Sequence, residues 1–362
     1  MNRVYTIATA AMLAWCVSTY AQEKATSDIV IKKVFGTELP GKYKHPASFT
    51  ELDNGAFYVS YYGGGGEYET DACVWGATLK KGEEKWSQPE KIADSPFISE
   101  GNPVVWQAPD GVLWLYYNQR YGDTWSDTRI FAKISNDRGK TWTDPILVAG
   151  EKGMMVRGRP IVLHDGNHLL PIYHETGHDR ENVGADTTSL FLRYKPGGFE
   201  WIETNRVKSR TGNLQPAPVQ LTDSHLIAYC RRGGGYDPIK DGYIVRTESL
   251  DGGHTWSEGK DTKIPNPNAA VDLIKLSNGH LVLVYNDNMN DRDPLTISIS
   301  TDSEQTWPFK RNIAEGPHDY AYPVALQSKD GKIHILFTQD GRSTIMHAVM
   351  DESAILSHKA SN

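Results

Sequence analysis

The chain has 362 residues, with 38 Lys and Arg against 45 Asp and Glu and a formal net charge of −7, so it lacks the basic excess of a nucleic-acid-binding protein. Glycine (33), tyrosine (18) and tryptophan (10) are plentiful and no long amphipathic helical pattern is present, which predicts short strands joined by many turns. Beyond the N-terminus no stretch reaches the roughly 20 apolar residues needed to span a bilayer.

Residues 1–21 read as an export signal. Arg3 supplies the positive start, Ile7 to Val17 are mostly apolar, and Thr19-Tyr20-Ala21 precedes Gln22 with small residues at the cleavage positions. The expected destination is the periplasm or the exterior, and residues 22–362 are expected to form a single domain. Cys16 would leave with the signal, so Cys73 and Cys230 remain. In an exported protein such a pair could form one disulfide; whether they meet depends on the architecture.

From His45 onwards one pattern recurs: an apolar run, often opened by proline, then a tight turn, then a second run ending in aromatics. The first copy is His45 to Phe49, Asp53-Asn54-Gly55 and Phe57 to Tyr62. The second is Asn102 to Trp106, Asp110-Gly111 and Leu113 to Tyr117, and the third is Arg159 to Leu163, Asp165-Gly166 and a run to Tyr173. The fourth is Gln215 to Val219, Asp223-Ser224 and a run to Tyr229. The fifth is Val271 to Leu276, Asn278-Gly279 and Leu281 to Tyr285; the sixth is Tyr322 to Leu326, Asp330-Gly331 and Ile333 to Phe337. Asp-Gly and Asn-Gly suit hairpins because both residues tolerate positive φ. The turns at 55, 111, 166, 224, 279 and 331 are spaced by 56, 55, 58, 55 and 52 residues. Six hairpins at one period are expected.

About 30 residues after each of the first five turns stands a tryptophan: Trp86, Trp142, Trp201, Trp256 and Trp307. Around three of them the chain writes SNDRGKTW, SLDGGHTW and STDSEQTW, a shared Ser-x-Asp-x-x-x-Thr-Trp skeleton. Asp137, Asp251 and Asp302 are expected to accept hydrogen bonds from turn amides, with the Thr-Trp pair packed between neighbouring units. Each unit then has four strands, the content of a propeller blade. The spare run Asp28 to Phe35 is expected to complete the sixth blade. The Ser-x-Asp turn resembles the Asp-box, or BNR repeat, of sialidase-like proteins. That resemblance implies an all-β, six-bladed propeller with four-stranded blades. In such a ring Cys73 and Cys230 fall in blades one and four, too far apart to pair, so two unpaired thiols are expected.

The first strand of each blade is innermost, so its start and the loop after the second strand face one end of the ring. That end would collect His45, Asn102, Arg159, Gln215, Asp272 and Tyr322, with Glu67, Asp71, Arg120, Glu175, Arg231, Arg292 and Arg342 from the loops. Convergent inner ends form a pocket, and arginine binds carboxylates through a planar fork. Gln215-Pro216 with Arg231 sixteen residues on is similar to the glutamate–proline strand and arginine of sialidases. Arg292 resembles the arginine that precedes their next Asp-box, and Tyr322 their nucleophilic tyrosine. The resemblance implies Tyr322 as the nucleophile; Glu67 or Asp71 is expected as the acid, with His45 and Gln215 completing the expected catalytic group. The substrate-binding group is Arg159, Arg231, Arg292, Arg342, Asn102, Glu175 and Asp272. Three positions depart from the pattern. The acid/base aspartate expected near residue 66 is not matched, with Glu67 or Asp71 standing in. Lys44-His45-Pro46 stands where a first arginine is expected, and Gln215 replaces the glutamate that takes the tyrosine proton, although an amide cannot act as a base.

The expected function is an exo-acting glycoside hydrolase for a terminal acidic sugar, working as a monomer on a glycan or polysaccharide. A polysaccharide lyase would instead use His45 or Tyr322 to remove the proton beside a carboxylate. A non-catalytic glycan-binding propeller would stack sugars on Tyr61, Tyr62, Trp125 and Tyr236. His174, Glu175, His178 and Asp179 have a spacing compatible with metal ligands but lie on a loop without the helix that fixes such sites. No metal and no cofactor are expected.

Overall fold

The computed structural model describes residues 29–39, 41–178, 180, 182–198 and 200–359. The expected signal segment, Asp28 and Asp179 lie outside them. Six antiparallel sheets follow one another along the chain. The first strand among the described residues is β1 (Val30–Phe35). Blade one is β2 (Tyr43–Glu51), β3 (Phe57–Gly64), β4 (Cys73–Leu79) and β5 (Glu90–Ala93). Blade two is β6 (Ser99–Gln107), β7 (Leu113–Arg120), β8 (Thr128–Ser135) and β9 (Ile146–Ala149). Blade three has a divided inner strand, β10 (Met154–Val156) and β11 (Ile161–Val162), then β12 (His168–His174), β13 (Thr188–Tyr194) and β14 (Trp201–Glu203). Blade four is β15 (Asn213–Gln220), β16 (Leu226–Arg232), β17 (Tyr243–Ser249) and β18 (Lys260–Pro265). Blade five is β19 (Asp272–Lys275), β20 (Leu281–Asn286), β21 (Leu295–Ser300) and β22 (Phe309–Ala314). Blade six is β23 (Ala321–Gln327), β24 (Ile333–Gln339) and β25 (Thr344–Met350), and β1 supplies its outer strand. The ring is a six-bladed propeller closed by its own N-terminal strand.

Five of the six hairpin turns place glycine at positive φ, from +79° at Gly55 to +89° at Gly279, a conformation that costs a Cβ-bearing residue. The Ser-x-Asp turns form as the skeleton implies. Asp137 accepts from the Thr141 amide at 2.9 Å and the Thr141 hydroxyl at 2.6 Å; Asp251 and Asp302 repeat both bonds with Thr255 and Thr306. Each tryptophan then reaches the preceding blade. Trp142 meets Tyr58, Trp201 meets Tyr116, Trp256 stacks on Phe191, and Trp307 meets Tyr229. Trp86 meets Phe35 of the closing strand. The apolar core accordingly lies in layers between blades, as in the layer of Leu169 and Phe191 from blade three with Leu226 and Trp256 from blade four. Cys73 and Cys230 are buried, unpaired thiols; Cys230 sits on the second strand of its blade rather than the innermost.

A bulge interrupts the inner strands of blades one, two, four and six, between Lys44 and Ala47, Gly101 and Val104, Leu214 and Ala217, and Ala321 and Val324. Each contains a proline, which has no N–H for the ladder. The residues before three of these prolines adopt positive φ: Asn102 (+44°), Gln215 (+55°) and Tyr322 (+53°). This region is disfavoured before proline, and strained backbone of this kind clusters at functional sites. Together with His45, these are the side chains at the mouth of the ring.

Candidate active site

Tyr322 is the centre of the site. Its hydroxyl accepts a hydrogen bond from Arg231 Nη1 at 2.9 Å and a longer one from Gln215 Nε2 at 3.4 Å. Three guanidinium groups stand around its ring, Arg157 at 5.3 Å, Arg292 at 5.7 Å and Arg231 at 5.9 Å. The His45 ring meets it edge-on at 4.2 Å. Burial raises the Tyr322 phenol, but Arg231 and Arg292 outweigh that and hold it below the ordinary tyrosine value. His45 donates or accepts through Nδ1 to the Thr338 hydroxyl at 2.8 Å, and its Nε2 is buried without a partner. Burial first, then the charges of Arg342, Arg292, Arg157 and Arg231, hold this imidazole well below its ordinary value, so it stays neutral.

The two central arginines are braced. Arg231 donates through Nε to Asn268 Oδ1 at 2.7 Å and through Nη2 to the Tyr236 hydroxyl at 2.9 Å. Arg292 lies over the Tyr236 ring and has a buried Nη1 without a hydrogen-bond partner. Arg157 is buried, bonds the Pro323 carbonyl at 2.9 Å, and likewise has an unpartnered Nε. Donors left unmade in a buried site are costly. Here three cations converge, two of them with unpartnered donors, where an anion would satisfy them.

Glu175 shares the pocket with Asn102, Trp125, Tyr173, Gln215, Arg231 and Tyr322. Burial pushes its carboxyl up to about 7, against the pull of Arg231. Asn102 donates to the Tyr173 hydroxyl at 3.1 Å. The free space at the floor is about 40 Å³, room for a water but not for a sugar ring. One wall is a cluster in which Arg180 lies 4.5 Å over Tyr68, and Arg120 lies 5.3 Å from the same ring and donates to the Tyr68 carbonyl at 2.7 Å.

Five expected site residues fall elsewhere or are otherwise engaged. Arg159 and Asp272 line a different cavity, with Pro160, Ala217 and Leu273; each bonds the Ala325 backbone. The reason is the break in blade three. A Cβ on Gly158 would come within 2.7 Å of the Pro216 carbonyl oxygen, so the strand closes on blade four there, and Arg157 rather than Arg159 ends up beside Tyr322. In blade five Asn268, at φ +58°, takes the place expected for Asp272. Glu67 lines the same pocket as Tyr322, but it is bonded by Arg342, by the Tyr43 hydroxyl at 2.8 Å and by Trp125 Nε1 at 3.1 Å, so both of its oxygens are already engaged. Arg342 is thereby a tie between blades six and one. Asp71 is exposed and caps its own loop through the Gly65 amide at 3.0 and 3.1 Å. Arg157 and Asn268 were not singled out by sequence; the Arg-Gly-Arg-Pro run at 157–160 was the available signal, because only a glycine lets the strand break beside a neighbour. Among the described residues no cluster of three or more His, Cys, Asp or Glu could hold a metal ion.

The fold is that of a sialidase-like propeller. The chain belongs to the BNR repeat-like domain family, whose model matches residues 55–335. No curated protein sequence matches it. Among solved structures it is similar to the Hadza microbial sialidase Hz136, at 17% identity and TM-score 0.72, covering 87% of this chain and 67% of that one. It is also similar to the intramolecular trans-sialidase from Ruminococcus gnavus, at 14% identity and TM-score 0.73, covering 91% and 98%. A protein of unknown function from Dyadobacter fermentans aligns at 16% identity and TM-score 0.70, covering 89% and 99%. At these identities the likeness is one of fold. No helix among the described residues is long and apolar enough to cross a membrane.

Proposed function

We propose that the protein is an exported, exo-acting glycoside hydrolase that removes a terminal acidic sugar from a glycan or polysaccharide. The reading is carried by the convergence of Arg157, Arg231 and Arg292 on Tyr322, a triple cation suited to a sugar carboxylate. Glu175, protonated below about pH 7, is the general acid in place of Glu67 or Asp71. The Tyr322 oxygen, attacking as the phenolate, bonds to the anomeric carbon as the glycosidic C–O bond breaks, and the departing oxygen takes the Glu175 proton. Water then adds at that carbon, returns a proton to Glu175 and releases Tyr322. Entry of the sugar requires the Tyr68–Arg180 wall to move outward. The names of the similar sialidases support an acidic sugar as substrate. His45, held neutral and disfavoured as a cation by four arginines, is a poor base, which weighs against the lyase that would use it.

Incubation with oligosaccharides ending in sialic or uronic acids tests the reading. Release of a saturated acidic monosaccharide is expected. An unsaturated product absorbing in the ultraviolet would make the protein a lyase, and binding without cleavage would make it a lectin-like propeller.

A further inference from the structure

The loss of the carboxylate beside Tyr322 leaves a question of charge. Three buried or half-buried guanidinium groups face this phenol, from the segment after β10 (Arg157), from β16 (Arg231) and from the loop before β21 (Arg292). Buried cations are ordinarily paired. Among the described residues no carboxylate is ion-paired to them, although Asp272 acts on Arg157 and Glu175 on Arg231 from a greater distance. Glu67 is bonded to Arg342, Asp272 accepts from the Ala325 amide at 2.7 Å, and burial raises the Glu175 carboxyl to about 7, so that it carries a proton only below that pH. His45 from β2 is neutral, and burial keeps Tyr62 and Tyr173 protonated.

The hydrogen bonds point the same way. Gln215 Oε1 accepts from Arg231 Nη1 at 3.4 Å, and that bond fixes the amide, because turning it over would set its NH2 against the guanidinium donor. Its NH2 therefore faces the Tyr322 oxygen. Arg231 Nη1 also faces that oxygen. Both neighbours of the phenolic oxygen are donors, and Arg and the Gln amide nitrogen accept nothing.

We infer that Tyr322 rests as a phenolate in the free protein, with Arg157, Arg231 and Arg292 holding it ionised in the role that a carboxylate base would otherwise fill. The exchange of glutamate for Gln215 is then part of the device: a carboxylate there would offer the phenol an acceptor and neutralise one arginine. The use of the phenolate as a nucleophile rests on the hydrolase reading, but its ionisation does not, so the two can fail separately.

Near-ultraviolet difference spectra between the parent protein and Tyr322→Phe, taken without substrate from about pH 6 to about pH 11, test the inference. At about pH 7.5 the difference should carry the red-shifted band of one phenolate. Arg157→Gln should move the midpoint of that band upward, and Gln215→Glu should abolish it near neutrality. A difference that is purely that of a neutral phenol up to about pH 10 overturns the proposal. Should Tyr322→Phe not fold, parent and Gln215→Glu contain the same tyrosines, and identical spectra at about pH 7.5 overturn it equally. Tyrosine labelled at Cζ gives the same readout by NMR in the folded protein.

Discussion

Arg157 and Arg159 differ by two positions, yet Arg157 lies beside Tyr322 and Arg159 lines another cavity, which gives a direct test of the site. Arg157→Gln should cost about 2–5 kcal/mol in affinity for an acidic ligand, the range for removing one member of a desolvated charge pair. Arg159→Gln should leave that affinity unchanged, and titration calorimetry with the released sugar separates the two. Glu175 carries a second prediction. Its carboxyl is raised to about 7 by burial, so it is protonated below that pH and activity should fall as pH rises through it. Glu175→Gln should lower the rate by about 10²–10⁴-fold and remove this alkaline limb, whereas Glu67→Gln should disturb the tie to Arg342 without removing the limb. Tyr322, Gln215, Arg231 and Arg292 could be picked out in the sequence because each stands at a fixed offset from a proline or a repeat turn. Arg157 could not, because its position depends on a strand break that only packing against blade four explains.

The tryptophan turns and the closing seam act at the level of strands and blades. Trp256 is 5% exposed and stacks on Phe191 at 3.9 Å. Trp256→Ala should therefore cost about 3–5 kcal/mol of stability, read from denaturant midpoints, with activity per folded molecule preserved. At the seam between blades six and one, His334 Nδ1 and His347 Nε2 lie 2.9 Å apart, and His334 packs on Phe57. Burial holds His334 down at about 4 and His347 at about 3. The unfolded chain therefore binds protons that the folded one refuses, and stability is lost as pH falls from about 6.5 towards these values. His347→Gln should flatten that slope in urea titrations at several pH values; an unchanged slope would mean that the pair does not govern it. The hairpins could be read from the sequence because glycine turns mark them. The inner strands were less legible: their apolar runs do not reveal bulges, and the bulges decide which side chains turn towards the axis.

At the scale of the whole ring, the site depends on closure. Tyr322 belongs to blade six and His45 to blade one, and between them runs the Arg342–Glu67 bond. The closing strand is β1, paired to β25 from Val30 opposite Val349 to Phe35 opposite Ile345. The spare run before the first hairpin announced this strand, since six repeats left one blade a strand short. Phe35 is 3% exposed and packs on Tyr61 at 5.4 Å and on Trp86 at 6.4 Å, so β1 joins two blades by hydrogen bonds and by a shared apolar layer. Phe35→Ala should cost about 3–5 kcal/mol. A chain beginning at Gly41 should lose more, because β25 becomes an open edge and the layer between blades six and one loses its outer wall. Its unfolding should broaden as the ring ceases to melt as one unit, and affinity for an acidic ligand should fall with it, although every arginine around Tyr322 is still present. A synthetic peptide spanning residues 29–37 should restore both by re-forming the β25 pairing. If the shortened chain melts and binds like the parent, closure by β1 is not what holds the pocket together.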